Sequence, residues 1–169
     1  IRPGDVILGL PSNGLQTNGY TLARDILFKK ARLGMGSRVP GASQKLGELL
    51  MAVHPNYRQA LLKIGKRVKI KGAAHITGGG LIDNPPRIFP RGTGAEIRLG
   101  SWTVPPLFRL LVEKGRLKTA EAYRTFNMGI GMIAVVEPSK VDAFTATLKT
   151  PSYKIGKIIP GEQKVSYRA

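Results

Sequence analysis

The sequence predicts a layered domain of the α+β or α/β kind, and two patterns carry that prediction. Short apolar runs that read as strands are interleaved with amphipathic segments along the whole chain, as in helices packed on a sheet. The last third reads strand, helix, strand, strand, which has the look of half a ferredoxin-like fold. With 169 residues, 42% of them apolar, the chain can bury one core.

The elements follow in order. Asp5 to Leu10 is an apolar run bounded by Gly4 and Pro11, so it predicts a buried strand. A polar glycine loop from Ser12 leads to a helix over Tyr20 to Ala31, with Thr17 or Asn18 as cap and Leu22, Ile26 and Leu27 on one face. Gly34 to Gly41 is loop. Ser43 suits the cap of a helix reaching about Val53, with Leu46, Leu49 and Leu50 inward. A second helix from about Asn56 to Lys66 buries Leu61, Leu62 and Ile64. Ala73, Ala74 and Ile76 predict a buried strand that ends at Thr77, before three glycines and one or two helical turns. Thr93 to Leu99 alternates like an amphipathic strand. A helix over Leu107 to Lys114 is closed by Gly115, and another runs from its cap Thr119 to Phe126. Asn127 to Gly131 is a glycine-bearing turn before an all-apolar strand, Met132 to Val136. Pro138 to Thr150 is helical, with Val141, Phe144 and Leu148 on one side. Tyr153 to Ile159 and Lys164 to Tyr167 close the chain as strands.

Composition narrows the chemistry. No cysteine means no disulfide, thiol nucleophile or cysteine metal site, and two histidines argue against a histidine-rich one. No apolar run is long enough for a membrane span, and no signal peptide is read. The opening Ile1-Arg2-Pro3-Gly4-Asp5 reads as the middle of a longer chain. A net charge of +17 favours anionic partners. The positive residues are dispersed, however. Only Lys63 to Lys71 is dense, and no stacking or zinc-finger motif accompanies it, which argues against nucleic acid. The acids form no D-x-D or E-x-x-E cluster. Asp83 suits helix N-terminal stabilisation and Trp102 a packing anchor.

Three polar glycine stretches remain: Ser12 to Tyr20, His75 to Gly80 and Asn127 to Gly131. Glycine lets a ligand approach backbone N–H groups closely, so these stretches suggest a phosphate-bearing small molecule. A tight turn inside a packed core is the competing reading. No P-loop is present, and Gly129-Ile130-Gly131 precedes a strand where a dinucleotide fingerprint needs a helix. His75 stands beside the glycines and is the candidate catalytic residue. His54, before Pro55, reads as packed or hydrogen-bonded.

The motifs S-N-G-L-Q-T-N-G-Y-T-L, H-I-T-G-G-G-L-I-D-N-P-P-R-I-F-P and Y-R-T-F-N-M-G-I-G-M resemble the C-terminal half of aminoimidazole ribonucleotide (AIR) synthetase, formally phosphoribosylformylglycinamidine cyclo-ligase. The likeness covers essentially the whole chain, including Trp102 to Pro105 and Lys154 to Gly156. It implies an α+β domain, layered α/β/α, with a mixed, largely antiparallel sheet. It also implies ATP-dependent closure of formylglycinamidine ribonucleotide to AIR in purine synthesis, in the cytoplasm. ATP would activate the formyl oxygen as a phosphoryl ester, and an amidine-side nitrogen would then close the ring.

The family's N-terminal domain would bind most of the ATP and magnesium and form the homodimer core. It is expected to be absent from residues 1–169, which would leave the fragment inactive alone. The implied site is His75, as a donor or charge stabiliser more than a base, with Asn18, Gly19, Tyr20, Thr77, Gly78, Gly79, Gly80, Asn127, Gly129 and Gly131 around substrate and phosphate, and no metal ligand. Selenophosphate synthetase, thiamine monophosphate kinase, a hydrogenase-maturation dehydratase and formylglycinamidine ribonucleotide synthetase belong to the same superfamily. Two positions depart from the pattern. Gln16 stands where many members have histidine, and His54-Pro55-Asn56-Tyr57 replaces P-T-R-I-Y.

Overall fold

The computed structural model describes residues 1–168; Ala169, the last residue of the expected span, lies outside them. Six strands form one sheet in the order β2-β4-β1-β5-β3-β6. In chain order β1 is Val6–Pro11, followed by α1 (Tyr20–Arg24), which continues as a π-helical turn over Asp25–Lys30. Helices α2 (Leu46–Leu50) and α3 (Tyr57–Gly65) precede β2 (Gly72–His75) and the one-turn α4 (Gly80–Asp83). A 3-10 turn at Pro85–Ile88 leads to β3 (Thr93–Arg98), α5 (Pro106–Gly115), α6 (Thr119–Thr125) and β4 (Ile130–Val136). A second 3-10 turn, α7 (Val141–Thr147), β5 (Tyr153–Pro160) and β6 (Val165–Arg168) complete the order.

The sheet is mixed and largely antiparallel, since only β3 and β6 pair in parallel. Strand alternation splits the core into two layers. Ile7, Ile133 and Val135 face a large cluster with Ile26, Leu27, Phe108, Leu111 and Phe126 from the helices on that side. Val6, Leu8, Ala134 and Val136 face Ile64 of α3 and Phe144 of α7. Helices therefore cover both faces, giving the α/β/α layering. Strands β4 and β5 are both antiparallel to β1 and flank it, so β4–α7–β5 is a split β-α-β crossover, the ferredoxin-like unit. A register shift at Ile7/Leu8 against β5 makes Ile155 a bulge residue. The bulge lets Ile155 and Ile158 point into the same cluster despite their odd spacing.

Several local expectations are corrected. The N-caps are Gly19, Lys45 and Lys118 rather than Thr17 or Asn18, Ser43 and Thr119, and none of the three makes a side-chain cap bond. Asn18 is instead drawn to the Thr125 carbonyl (3.0 Å). Asn56 does cap α3, accepting from the Arg58 N–H at 3.0 Å. Leu62 faces outward, 53% exposed, because α3 buries only a narrow stripe through Tyr57 and Ile64. Helix α2 stops at Leu50, short of Val53, which is exposed. Arg116, not Gly115, takes the left-handed position that ends α5. Gly115 is needed for packing, because a Cβ there would lie 2.6 Å from Ile26 Cδ1. Strand β4 begins at Ile130, so Gly131 is in the strand.

Candidate functional site

The three glycine stretches meet at one end of the sheet. Strand β1 delivers the first and β2 the second, and the third leads into β4, which lies between those two strands. The Ser12 N–H donates to Gly129 O (2.9 Å), and the Ile76 N–H donates to Gly131 O (2.8 Å). Loops far apart in sequence are thus joined by main-chain bonds.

Asn127 fastens the first stretch to the third. It is fully buried, and both ends of its amide are used. Its Oδ1 accepts from Ser12 Oγ (2.7 Å) and the Gly129 N–H (2.9 Å). Its Nδ2 donates to Gly14 O (2.9 Å) and Leu15 O (3.3 Å). Trp102 Nε1 holds the adjacent Met128 carbonyl at 2.9 Å, so Trp102 is the expected anchor. Gly129 adopts φ +99, and a Cβ there would meet Pro105 at 2.5 Å. At Gly131 a Cβ would fall 1.9 Å from the Tyr57 hydroxyl. These glycines make room for other parts of the protein. The same holds for Gly19, where a Cβ would press on the Phe126 ring at 2.7 Å. The Tyr20 hydroxyl is committed to Leu50 O (2.8 Å), tying α1 to the end of α2.

The turn at Thr77 to Gly80 is built differently. Asn84, 2% exposed, sends Nδ2 to the carbonyls of Gly80 (2.9 Å), Gly78 (3.2 Å) and Thr77 (3.4 Å), and its Oδ1 accepts from Thr77 Oγ1 (3.2 Å). In a planar trans peptide the C=O and the next N–H point in opposite directions. With the Thr77 and Gly78 carbonyls turned to Asn84, the N–H groups of Gly78 and Gly79 point away from it. Among the described residues neither has an acceptor, whereas the Gly80 N–H is used by Thr77 O at 2.9 Å. Two of the three glycine N–H groups are therefore free to meet an anion. Helix α4 is a single turn and adds little dipole. Asp83 lies in that turn near Gly79, and Arg124 Nε approaches its Oδ2 at 3.4 Å, offsetting the negative charge.

His75 ends β2, and the chain brings His54 against it: the two Nε2 atoms are 3.2 Å apart. Neighbouring Tyr57 has its ring 5.9 Å from His54 and 6.0 Å from His75. The Tyr57 hydroxyl donates to Pro11 O (2.8 Å) and accepts from Gln16 Nε2 (2.8 Å). Burial pushes the phenol up to about 12, with the Gln16 bond opposing, so Tyr57 is neutral near pH 7. Burial first, then repulsion from His54, holds His75 below the ordinary histidine range. The side-chain amide oxygens of Gln16 (Oε1) and Asn18 (Oδ1) are buried without partners. A cleft of about 420 Å³ lies beyond Tyr57, between the Leu10–Asn13 segment and α3, and does not include His75 or the glycine turn.

Sequence reasoning placed Ser12 and Asn84 in its motifs without giving either a role, and it missed the pairing of His54 with His75. Asn84 had a faint signal, a polar residue just before two prolines. The histidine pair had none, since 21 residues separate its members.

Among the described residues no three His, Asp or Glu side chains cluster to hold a metal ion, and no helix is long and apolar enough to cross a membrane. The fold is a layered α/β/α domain whose glycine loops converge at one end of the sheet, and comparison narrows it to a family. Residues 2–168 match the model for the AIR synthase related protein, C-terminal domain, and the chain belongs to that family.

The relatives include phosphoribosylformylglycinamidine cyclo-ligase of Geobacillus sp. (strain WCH70), 44% identical over 96% of this chain and 48% of the relative. The chloroplastic/mitochondrial enzyme of that name from Vigna unguiculata is 46% identical over 95% of this chain and 42% of its own length. The chain thus spans about half the length of the curated relatives it matches. Among solved structures, E. coli HypE, a hydrogenase maturation protein, superposes with TM-score 0.64 at 20% identity over 100% of this chain and 48% of its own. Thiamine-monophosphate kinase from Stenotrophomonas maltophilia K279a gives 0.62 at 19%, over 98% and 50%. A HypE structure in complex with ATP gives 0.64 at 17%, over 98% and 48%. These three share the fold.

Proposed function

We propose that this chain is the C-terminal domain of a phosphoribosylformylglycinamidine cyclo-ligase. In this reading the enzyme closes formylglycinamidine ribonucleotide to aminoimidazole ribonucleotide in the cytoplasm, with ATP as phosphoryl donor. The observation that carries the reading is the junction of the three family motifs at one end of the sheet, with two unpaired N–H groups in the middle one. The relatives' shared name, at 44% and 46% identity over nearly all of this chain, supports it.

ATP would convert the formyl oxygen to a phosphoryl ester, a better leaving group. This chain's own part is to bind and orient. The N–H groups of Gly78 and Gly79 suit a phosphoryl oxygen, and His75, three residues earlier, would stand beside the reacting centre. Asn18, Gly19, Tyr20, Gly80, Asn127, Gly129 and Gly131 would shape and hold the rim, most of them through bonds and contacts inside the protein. Among the described residues the carboxylates are too scattered to hold magnesium. Magnesium, most nucleotide contacts and the homodimer core are assigned to an N-terminal domain, the partner that would cover the rim.

The test is to mix this chain with the N-terminal half of the Geobacillus relative and follow ATP-dependent formation of aminoimidazole ribonucleotide. Turnover is expected from the mixture and not from this chain alone. A well-folded pair that neither associates nor turns over overturns the proposal.

A further inference from the structure

The pairing of the two histidines has a consequence for which ring nitrogen can act. His54 Nδ1 lies 2.8 Å from Pro55 O. A carbonyl oxygen only accepts, so that nitrogen carries a hydrogen. In neutral His54 the other nitrogen, Nε2, is then a bare acceptor. It faces His75 Nε2 at 3.2 Å, so the hydrogen between the rings belongs to His75. His75 is thereby fixed as the Nε2–H tautomer, and its lone pair resides on Nδ1. Among the described residues Nδ1 of His75 has no partner, and it is absent from the buried unpaired atoms, so solvent reaches it. Tyr57, the remaining titratable group of the cluster, has its hydroxyl committed to Pro11 and Gln16 and does not compete for the imidazoles.

We propose that His54 is a positioning residue that sets the tautomer of His75 and makes His75 Nδ1 the proton acceptor of the site. This departs from the donor role expected of His75 beside the glycine turn, and its place in a reaction rests on the cyclo-ligase reading. In ring closure the attacking nitrogen forms a bond to the activated formyl carbon and gives its proton to His75 Nδ1. The bond from that carbon to the phosphorylated oxygen breaks, and phosphate leaves with the electron pair. The His75 imidazolium keeps its Nε2–H donated to neutral His54, which steadies the new charge much as the third member of a triad steadies a base.

With only two histidines in the chain, the imidazole nitrogens can be assigned directly. Long-range 1H–15N correlation spectra of this chain, taken above the histidine titration range, are expected to show His54 as Nδ1–H and His75 as Nε2–H, with a scalar coupling between the two Nε2 atoms. An Nε2–H tautomer at His54, or no coupling, overturns the proposal whatever the enzyme does.

In the complete enzyme, His54→Phe is expected to lower kcat about tenfold or more with KM held and the pH profile displaced, because part of the general acid–base contribution is lost. His54→Gln, whose amide oxygen can still accept from His75, should recover most of the rate. Wild-type kcat and pH profile in His54→Phe overturn the positioning role. If the unaltered enzyme fails to close the ring while the spectra show the expected pattern, the cyclo-ligase reading fails and the histidine pair stands.

Discussion

The glycine turns at 77–80 and 127–131 look alike in sequence and are opposites in the folded protein. Each is organised by an asparagine amide, Asn84 in one and Asn127 in the other. Asn127 binds a neighbouring loop and the N–H of Gly129, and its glycines are packed against Pro105 and Tyr57. Asn84 binds the carbonyls and the Thr77 hydroxyl of its own turn and leaves two N–H groups outward. One turn is a closed joint and the other an open rim. The difference separates glycines that the fold needs from one that it does not. At Gly80 a Cβ would lie 2.0 Å from the Tyr123 carbonyl oxygen, whereas at Gly78 it would meet nothing within 4 Å, and Gly78 is exposed. No internal contact accounts for a glycine at 78.

The largest effect is expected in the closed joint. Asn127→Ala strands the Ser12 hydroxyl, the Gly129 N–H and two carbonyls in the interior. Buried polar groups left unpaired cost about 1–3 kcal/mol each, so a loss of about 3 kcal/mol or more is expected. For a domain of this size that lowers Tm by roughly 6–12 °C. Thermal unfolding checks it, and a shift under a degree or two would break the contrast between the turns.

Gly80→Ala comes next. Its Cβ would clash with main chain, and its φ of +56 already disfavours a side chain, so a loss of about 2 kcal/mol or more is expected. Gly78→Ala, two residues away, should change stability by no more than about 0.5 kcal/mol. Phosphate-bearing substrate should nevertheless bind about tenfold more weakly to the complete enzyme, a change of about 1.4 kcal/mol. Gly79 makes a poorer probe, because φ +97 and a Cβ 2.8 Å from Asp83 Cβ would confound binding with folding. If Gly78→Ala both folds and binds normally, the open turn is only a turn.

These distinctions were partly legible before the structure. Strands β1, β3 and β4 were readable because burial on a sheet face leaves an apolar run or an alternation. The anchor role of Trp102 followed from a large aromatic beside prolines. Caps were misread because a cap is a competition. The Asn18 amide finds the Thr125 carbonyl, and the sharp entry to α1 then needs Gly19 at φ +80. The π-helical turn at Asp25–Lys30 leaves no mark on an apolar period that also fits an α-helix. Three consecutive glycines cannot be ranked from sequence, since what a missing Cβ would touch is decided by α6, a distant segment. The same limit hid His54.

The smallest effect concerns pH, and it tests whether His75 belongs to the open rim. Its folded pKa is depressed, by burial first and by the His54 charge second. Below the ordinary histidine value the unfolded chain therefore takes up protons that the folded chain resists. Stability should rise with pH across the window between the folded value and about 6.5, and be complete above it. His54→Gln removes only the second cause, so His75 should titrate higher than before yet still below its ordinary range. The 15N or 13C chemical shifts of the single remaining histidine, followed against pH, read this directly. A His75 that titrates at the ordinary value with His54 in place would mean that the ring is solvated and unpaired, and the open turn would then lack the neighbour that gives its free N–H groups a chemical purpose.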